Sequence, residues 1–295
     1  MRKILIVMPG QEALGDSLIK AGGFEQGELE LRHFPDGESY VRVCSDVHGA
    51  QVAILCQLHH PDEKFLPLML VCATLRDLGV HSVGLIAPYL AYMRQDKRFK
   101  QGEGISARYF ARLVSQQFDW LLTVDPHLHR IHALSEVYSL PALALTAVQP
   151  IADWLHQNIA KPIVIWPDGE SEQWAAQVAK AANCPFEVLT KERFGDRDVK
   201  VSVPHVDSYK DHTPVLVDDI ISTGRTMQQA ATHLVTAGMC APLCIGVHGI
   251  FAPGALEEMR ASGLRVITSN SIPDASNEID LTPLLLKGIA HLMLR

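Results

Sequence analysis

Short aliphatic runs alternate with longer segments of helical periodicity along the chain. "KILIVM", "ELELRHF", "VAILCQL", "HSVGLIAP" and "WLLTVD" read as strands, and "QEALGDSLIKAG", "DEKFLPLMLVCATLRDLG" and "GISARYFARLVSQQF" as helices between them. After a stretch around 138–148 with Pro141 and few charges, the rhythm restarts. Helical "AVQPIADWLHQNI" leads to strand "PIVIW", then helical "SEQWAAQVAKAAN", strands "FEVLT", "VKVSV" and "PVLVDD", helix "TMQQAATHLVTAG", and "PLCIGVHGIF", "PGALEEMRASG", "RVITSN" and "TPLLLKGIAHLML". Strands separated by helical crossovers predict an α/β fold built on mainly parallel sheets. The pattern divides into two domains, 1–145 and 146–295, with the last helix able to pack back on the first. The halves share rhythm but little identity, which suggests a duplication without establishing it.

Composition narrows the reading. A chain of 295 residues, 47% hydrophobic and 20% charged, suits one large or two ordinary domains. Its net charge of -7 argues against a broad nucleic-acid interface. The apolar run Ile4 to Met8 is too short for a signal-peptide core, and no later run approaches a membrane span, so a cytoplasmic protein with no membrane partner is expected. Cys44, Cys56, Cys72, Cys184, Cys240 and Cys244 are scattered, mostly inside apolar strings, and read as reduced core residues. Cys240 and Cys244 make a poor zinc pair.

Ligands of open α/β sheets settle at the carboxyl ends of strands, and Asp125, Asp168 and the doublet Asp218–Asp219 occupy such ends. A single strand-ending aspartate is most simply a cap; three such clusters indicate a site. After the doublet, Ser222, Thr223, Gly224, Arg225 and Thr226 bring hydroxyls, a flexible backbone and a helix start together, a cradle for phosphate. Carboxylates facing that phosphate would repel it, so Asp218 and Asp219 suit sugar hydroxyls or water on a metal. A sugar phosphate satisfies both ends. The chain contains no Gly-Lys dipeptide and therefore no Walker P-loop, and "GEGISA" (102–107) follows a polar loop, not the strand a dinucleotide fingerprint needs.

"VLVDDIISTGRTM" resembles the phosphoribosyl pyrophosphate loop shared by type I phosphoribosyltransferases and ribose-phosphate pyrophosphokinases. Three further stretches resemble the second family. "FPDGES" (34–39), otherwise an ordinary turn, is similar to the segment that reaches a neighbouring subunit's ATP site. "PYLAYMRQDKRFKQGEGISAR" (88–108), long enough to suggest function by itself, is similar to the loop whose Arg-Gln-Asp triplet meets ATP. "DPHLHRIH" (125–132) is similar to the Asp-x-His element, whose histidine meets the triphosphate and its magnesium; zinc held by His127, His129 and His132 is the weaker alternative. Lys191 and Arg193 in "LTKERF" fall where the family carries its catalytic pair.

The resemblance covers nearly the whole chain, at the compact length of the archaeal-like forms. Gly169 follows Asp168 at once where the family places glycine later, Arg225 stands where a second glycine is usual, and Lys97 where arginine is. What the resemblance implies is two tandem type I phosphoribosyltransferase-like domains and transfer of a diphosphoryl group from magnesium ATP to ribose 5-phosphate. It implies ATP contacts from Phe34, Asp36, Glu38, Arg94, Gln95, Asp96 and His127. It implies ribose 5-phosphate contacts from Asp218, Asp219 and Ser222 to Thr226, and magnesium (Mg2+) at His127 and Asp168. Catalysis would fall to Lys191 and Arg193, in a homo-oligomer of dimers or larger. The alternatives are a type I phosphoribosyltransferase, disfavoured by the second half and the Arg-Gln-Asp loop, and a catalytically silent nucleotide-binding relative.

Overall fold

The structure is a computed structural model that describes residues 1–128, 130–166, 172–194, 198–202 and 206–294, with the backbone alone at 172, 190–194, 198–202 and 206. It divides into two compact units, one of residues 1–146 with 271–273 and 282–295, the other of 147–270 with 274–281.

The first unit is built on β1 (Lys3–Val7), β2 (Glu25–Gly27), β5 (Gln51–Leu55), β6 (Ser82–Ala87), β7 (Trp120–Val124) and β8 (Ala142–Leu145), all parallel in the order β2-β1-β5-β6-β7-β8. Helices α1 (Glu12–Gly22), α2 (Pro61–Asp77) and α3 (Ser106–Gln117) are the crossovers. β5 to β7 are buried almost throughout, which is why they read as unbroken apolar runs. A two-stranded antiparallel ribbon, β3 (Leu29–His33) with β4 (Ser39–Val43), lies outside this sheet and packs on α2.

The last helix, α8 (Thr282–Met293), belongs to this first unit. It packs on α1, β7 and β8. Gly288 permits the approach: a Cβ there would stand 2.6 Å from Leu122 Cδ1 and 2.9 Å from Leu145 Cδ1.

The second unit repeats the plan. Its parallel sheet runs β10 (Phe186–Val188), β9 (Pro162–Trp166), β13 (Thr213–Ile221), β14 (Leu243–Gly249), β15 (Arg265–Ser269) and β16 (Asn277–Ile279) in that spatial order. Helices α4 (Val148–Asn158), α5 (Glu172–Ala181), α6 (Arg225–Thr236) and α7 (Ala255–Ala261) accompany it. An antiparallel ribbon, β11 (Thr190–Phe194) with β12 (Asp198–Ser202), interrupts this unit between the second and third strands in sequence, as β3–β4 interrupts the first. Strand for strand the two sheets have one connectivity, so the shared rhythm of the sequence is a shared topology.

Two differences from the sequence reading matter. β13 does not stop before the aspartates: it runs through Asp218, Asp219 and Ile220 to Ile221, because pairing with β14 continues to Ile221↔Gly249. The stretch read as the boundary holds β8, whose "ALAL" lacks the β-branched and aromatic side chains that mark strands but pairs with β7 at the sheet edge. β2, β4 and β16 also escaped the pattern, two of them being only three residues long. No described helix is long and apolar enough to cross a membrane.

Candidate active site

In the second unit, β13 delivers its chain at the carboxyl edge of the sheet, beside β9 at the place where the strand order reverses. That is where open α/β sheets hold ligands. A cavity of about 150 Å³ opens there, lined by Asp218 and by residues 220–227. Asp218 and Asp219 are half-buried, and the Asp219 N–H donates to Asp218 Oδ1 at 2.9 Å, which fixes the doublet's local geometry. Residues 222–224 then turn into α6. Gly224 is the cap residue at φ 67°, in the left-handed region, and a Cβ there would lie 2.3 Å from Met259 Sδ. The Ala252 N–H holds the turn from behind by donating to Ser222 O at 3.2 Å.

No side chain caps the N-terminus of α6, and its first turn contains no acid. Among the described residues the hydroxyls of Ser222, Thr223 and Thr226 and the guanidinium of Arg225 make no hydrogen bond or ion pair. Open backbone N–H groups, hydroxyls and a positive helix end form an anion site. The residues expected to hold a sugar phosphate are thus brought together on one strand–turn–helix.

Lys191 and Arg193 lie on β11, opposite Val201 and Val199 of β12. Asp168, expected at the end of β9, lies outside the described residues.

In the first unit, β6 and β7 are neighbours, and the connections that leave their carboxyl ends carry the expected nucleotide residues. Arg94 is exposed and has no hydrogen-bond or ionic partner among the described residues. Gln95 Nε2 donates to Lys97 O at 3.1 Å and to Glu103 Oε2 at 3.2 Å. Asp96, expected to contact nucleotide, has a side chain only 4% exposed, and its carboxylate is bound by Arg130, Nη1 to Oδ1 at 3.1 Å. After β7, Asp125 adopts φ 34° while its N–H donates to Leu145 O at 2.8 Å, and His127 follows half-buried.

Phe34, Asp36 and Glu38 sit at the tip of the β3–β4 ribbon. The Phe34 N–H donates to Glu38 O at 2.8 Å, the Glu38 N–H to Asp36 Oδ1 at 3.2 Å, and Arg32 lies over both Phe34 and Tyr40. Phe34 is 41% exposed. Among the described residues all hydrogen bonds and ring contacts of these three residues stay within the ribbon, and none joins the tip to residues 94–96.

Two residues with organising roles escaped the sequence reading. Glu103 accepts the N–H of Phe99 at 2.7 Å and of Lys100 at 3.0 Å, and these bonds hold its carboxyl below the usual carboxylate range. It is the first acid after the cations Lys97, Arg98 and Lys100, which was the available signal. Arg130 is the other. It is the only cation in 125–132 apart from histidines.

Among the described residues no group of three His, Cys, Asp or Glu is placed to hold a metal ion. The described strand-end carboxylates, Asp125, Asp218 and Asp219, are hard oxygen donors, which suits magnesium, since that ion binds through one or two carboxylates with substrate phosphates and water as its other ligands.

Residues 4–117 match the family model described as the N-terminal domain of ribose phosphate pyrophosphokinase, and 134–284 the phosphoribosyl transferase domain. A ribose-phosphate pyrophosphokinase of Saccharolobus solfataricus is 33% identical, across 91% of this chain and 93% of its own. One from Sulfurisphaera tokodaii is 30% identical, across 89% and 91%. The crystal structure of a phosphoribosylpyrophosphate synthetase from Mycobacterium smegmatis superposes with a TM-score of 0.86 at 22% identity, over 100% of this chain and 99% of that one, and shows the same fold.

Proposed function

The chain belongs to the ribose-phosphate pyrophosphokinase family, and from that premise we infer its reaction and the roles of its residues. It is an enzyme that transfers the β,γ-diphosphoryl group of ATP to the anomeric hydroxyl of ribose 5-phosphate, giving phosphoribosyl pyrophosphate and AMP. The oxygen–phosphorus bond forms at the β-phosphorus as the bond to AMP breaks, and the hydroxyl proton is lost. The observation that carries the reading is the β13–α6 turn, an open anion cradle beside two carboxylates. A type I phosphoribosyltransferase shares that turn but does not account for the match of residues 4–117 to the pyrophosphokinase N-terminal domain.

Ser222, Thr223, Gly224, Arg225 and Thr226 would hold the 5-phosphate, and Asp218 and Asp219 the ribose hydroxyls. Arg94, Gln95 and His127 would hold the nucleotide, joined by Phe34, Asp36 and Glu38. The exposed tip of the β3–β4 ribbon supports their serving a second copy of the chain, in a homodimer or larger assembly. Lys191 and Arg193 would stabilise charge on the transferring group; a step of this kind needs alignment and neutralisation more than covalent help. His127 and Asp168 would place magnesium, which supplies charge neutralisation on the phosphoryl oxygens. Six free cysteines suit a reducing compartment and support a cytoplasmic location.

The test is AMP release from magnesium ATP with and without ribose 5-phosphate, with phosphorus NMR of the product. Sugar-dependent AMP together with a diphosphate on the anomeric carbon is expected. Nucleotide binding without AMP would overturn the reading in favour of a silent relative.

A further inference from the structure

We propose that Arg130 clamps the two nucleotide loops to each other, and that Asp96 acts through it as a positioning residue instead of touching nucleotide. The proposal rests on the nucleotide reading of Arg94, Gln95 and His127 given above.

A carboxyl group whose side chain is 4% exposed has lost its water and must find its hydrogen-bond donors within the protein. Among the described residues Arg130 supplies every hydrogen bond that the Asp96 carboxylate accepts. Nη1 donates to Oδ1 at 3.1 Å and to Oδ2 at 3.4 Å, and the backbone N–H of Arg130 donates to Oδ2 at 3.3 Å. The same guanidinium lies 5.5 Å from the centroid of the Phe99 ring. One side chain from the connection after β7 therefore grips the connection after β6 at two points, 96 and 99. Only a planar, multiply donating cation can do both, which a lysine ammonium cannot reproduce.

What the grip holds is chemically specific. Arg94 and Gln95 immediately precede Asp96, and His127 stands three residues before Arg130. On the far side Glu103 ties Phe99, Lys100 and Gln95 together. The two loops leave adjacent parallel strands, and the Val124 N–H donates to Pro88 O at 3.3 Å where they start to diverge. Beyond that bond, the Asp96–Arg130 pair ties the two loops together between their functional side chains.

The test uses the full chain carrying Arg130→Met, Arg130→Lys, Asp96→Asn and the Asp96→Asn/Arg130→Met double variant. Arg130→Met should raise KM for ATP about 10-fold while KM for ribose 5-phosphate stays within about twofold, with Arg130→Lys between it and the wild type. Without ligand, amide exchange should quicken in 94–104 and 125–132 and nowhere else. Because the pair acts as a unit, the double variant should be no worse than the worse single one. If Asp96→Asn instead multiplies the Arg130→Met effect, Asp96 meets nucleotide itself and the proposal falls; unchanged exchange in Arg130→Met overturns it as well. A wild-type enzyme that makes no AMP would sink the functional reading alone, since exchange still decides whether the clamp exists.

Discussion

Replacing Gly224 by alanine tests the phosphate cradle at its tightest point. Two independent costs follow from the geometry. At φ 67° an L-residue suffers the left-handed penalty of about 1–2 kcal/mol. The new methyl would also stand 2.3 Å from Sδ and 2.8 Å from Cγ of Met259, which is fully buried and has no solvent into which to swing, adding about 1–3 kcal/mol of overpacking. The sum is about 2–5 kcal/mol. The loop can shed part of this by rotating, but the cradle then loses its shape, and what disappears from the unfolding free energy returns as weaker binding of ribose 5-phosphate. Both must therefore be measured: urea unfolding by tryptophan fluorescence, and KM for ribose 5-phosphate converted to free energy. Trp154, Trp166 and Trp174 all belong to the unit that carries Gly224, so the signal reports mainly on it. In a Met259→Ala background the same substitution should cost only the backbone part, about 1–2 kcal/mol. If the two losses together stay below about 1 kcal/mol, the left-handed turn packed on Met259 is not what shapes the site.

Lys191→Ala should lower turnover at saturating substrates at least ~100-fold, the scale for one preorganised electrostatic donor; near-normal turnover would remove it from the mechanism. Glu103 has a folded-state pKa below its ordinary 4.5, so its stabilisation of residues 95–103 is present above that value and lost as pH falls through the lower one. Exchange in this segment, corrected for intrinsic rates, should be flat from neutral pH down to the ordinary carboxylate range and rise below it, whereas Glu103→Ala should already exchange fast at neutral pH. Burial pushes the thiols of Cys56 and Cys244 up to about 12 and that of Cys72 up to about 11, while Cys44 and Cys240 are exposed. Native protein at mildly alkaline pH should be alkylated at Cys44 and Cys240 and spared at Cys56, Cys72 and Cys244, as mass spectrometry of the individual peptides can show. Calorimetric titration with ribose 5-phosphate should find one site per chain; two would mean that the first unit's equivalent turn also binds phosphate.

The strands buried on both faces were legible because burial writes unbroken aliphatic runs, and the long helices because one face is apolar. What escaped lacks a strand's own signal and takes its form from its neighbours: β8 is four residues with no β-branched side chain, paired with β7, and β16 is three residues against β15. The cradle could be read because its chemistry is contiguous, from Asp218 to Thr226. Arg130 and Glu103 could not. Their partners are Asp96, far away in sequence, and backbone N–H groups, and the local charge pattern that singles out Glu103 and Arg130 does not say what they hold.

The repeated topology raises the question of why only one of the two equivalent turns suits phosphate. β5–α2 stands in the first unit where β13–α6 stands in the second, and both helices begin after a left-handed residue, His60 at φ 52° and Gly224 at φ 67°. From there the chemistry diverges. α2 opens with Pro61, which has no N–H to offer, followed by Asp62 and Glu63, whose charges occupy the positive end of the helix and repel an anion. α6 opens with Arg225 and no acid. The reverse holds one connection later. The segment after β6 carries Arg94, Lys97, Arg98 and Lys100, and the segment after β7 carries Arg130, whereas 250–254 and 270–276, which follow β14 and β15, contain no lysine or arginine. A triphosphate needs several cations on adaptable loops, and a single phosphate needs one rigid ring of N–H and hydroxyl donors. On the proposed assignment, one unit offers the ring of donors that a single phosphate needs and the other the cations that a triphosphate needs, as a reaction with two different phosphorylated substrates requires.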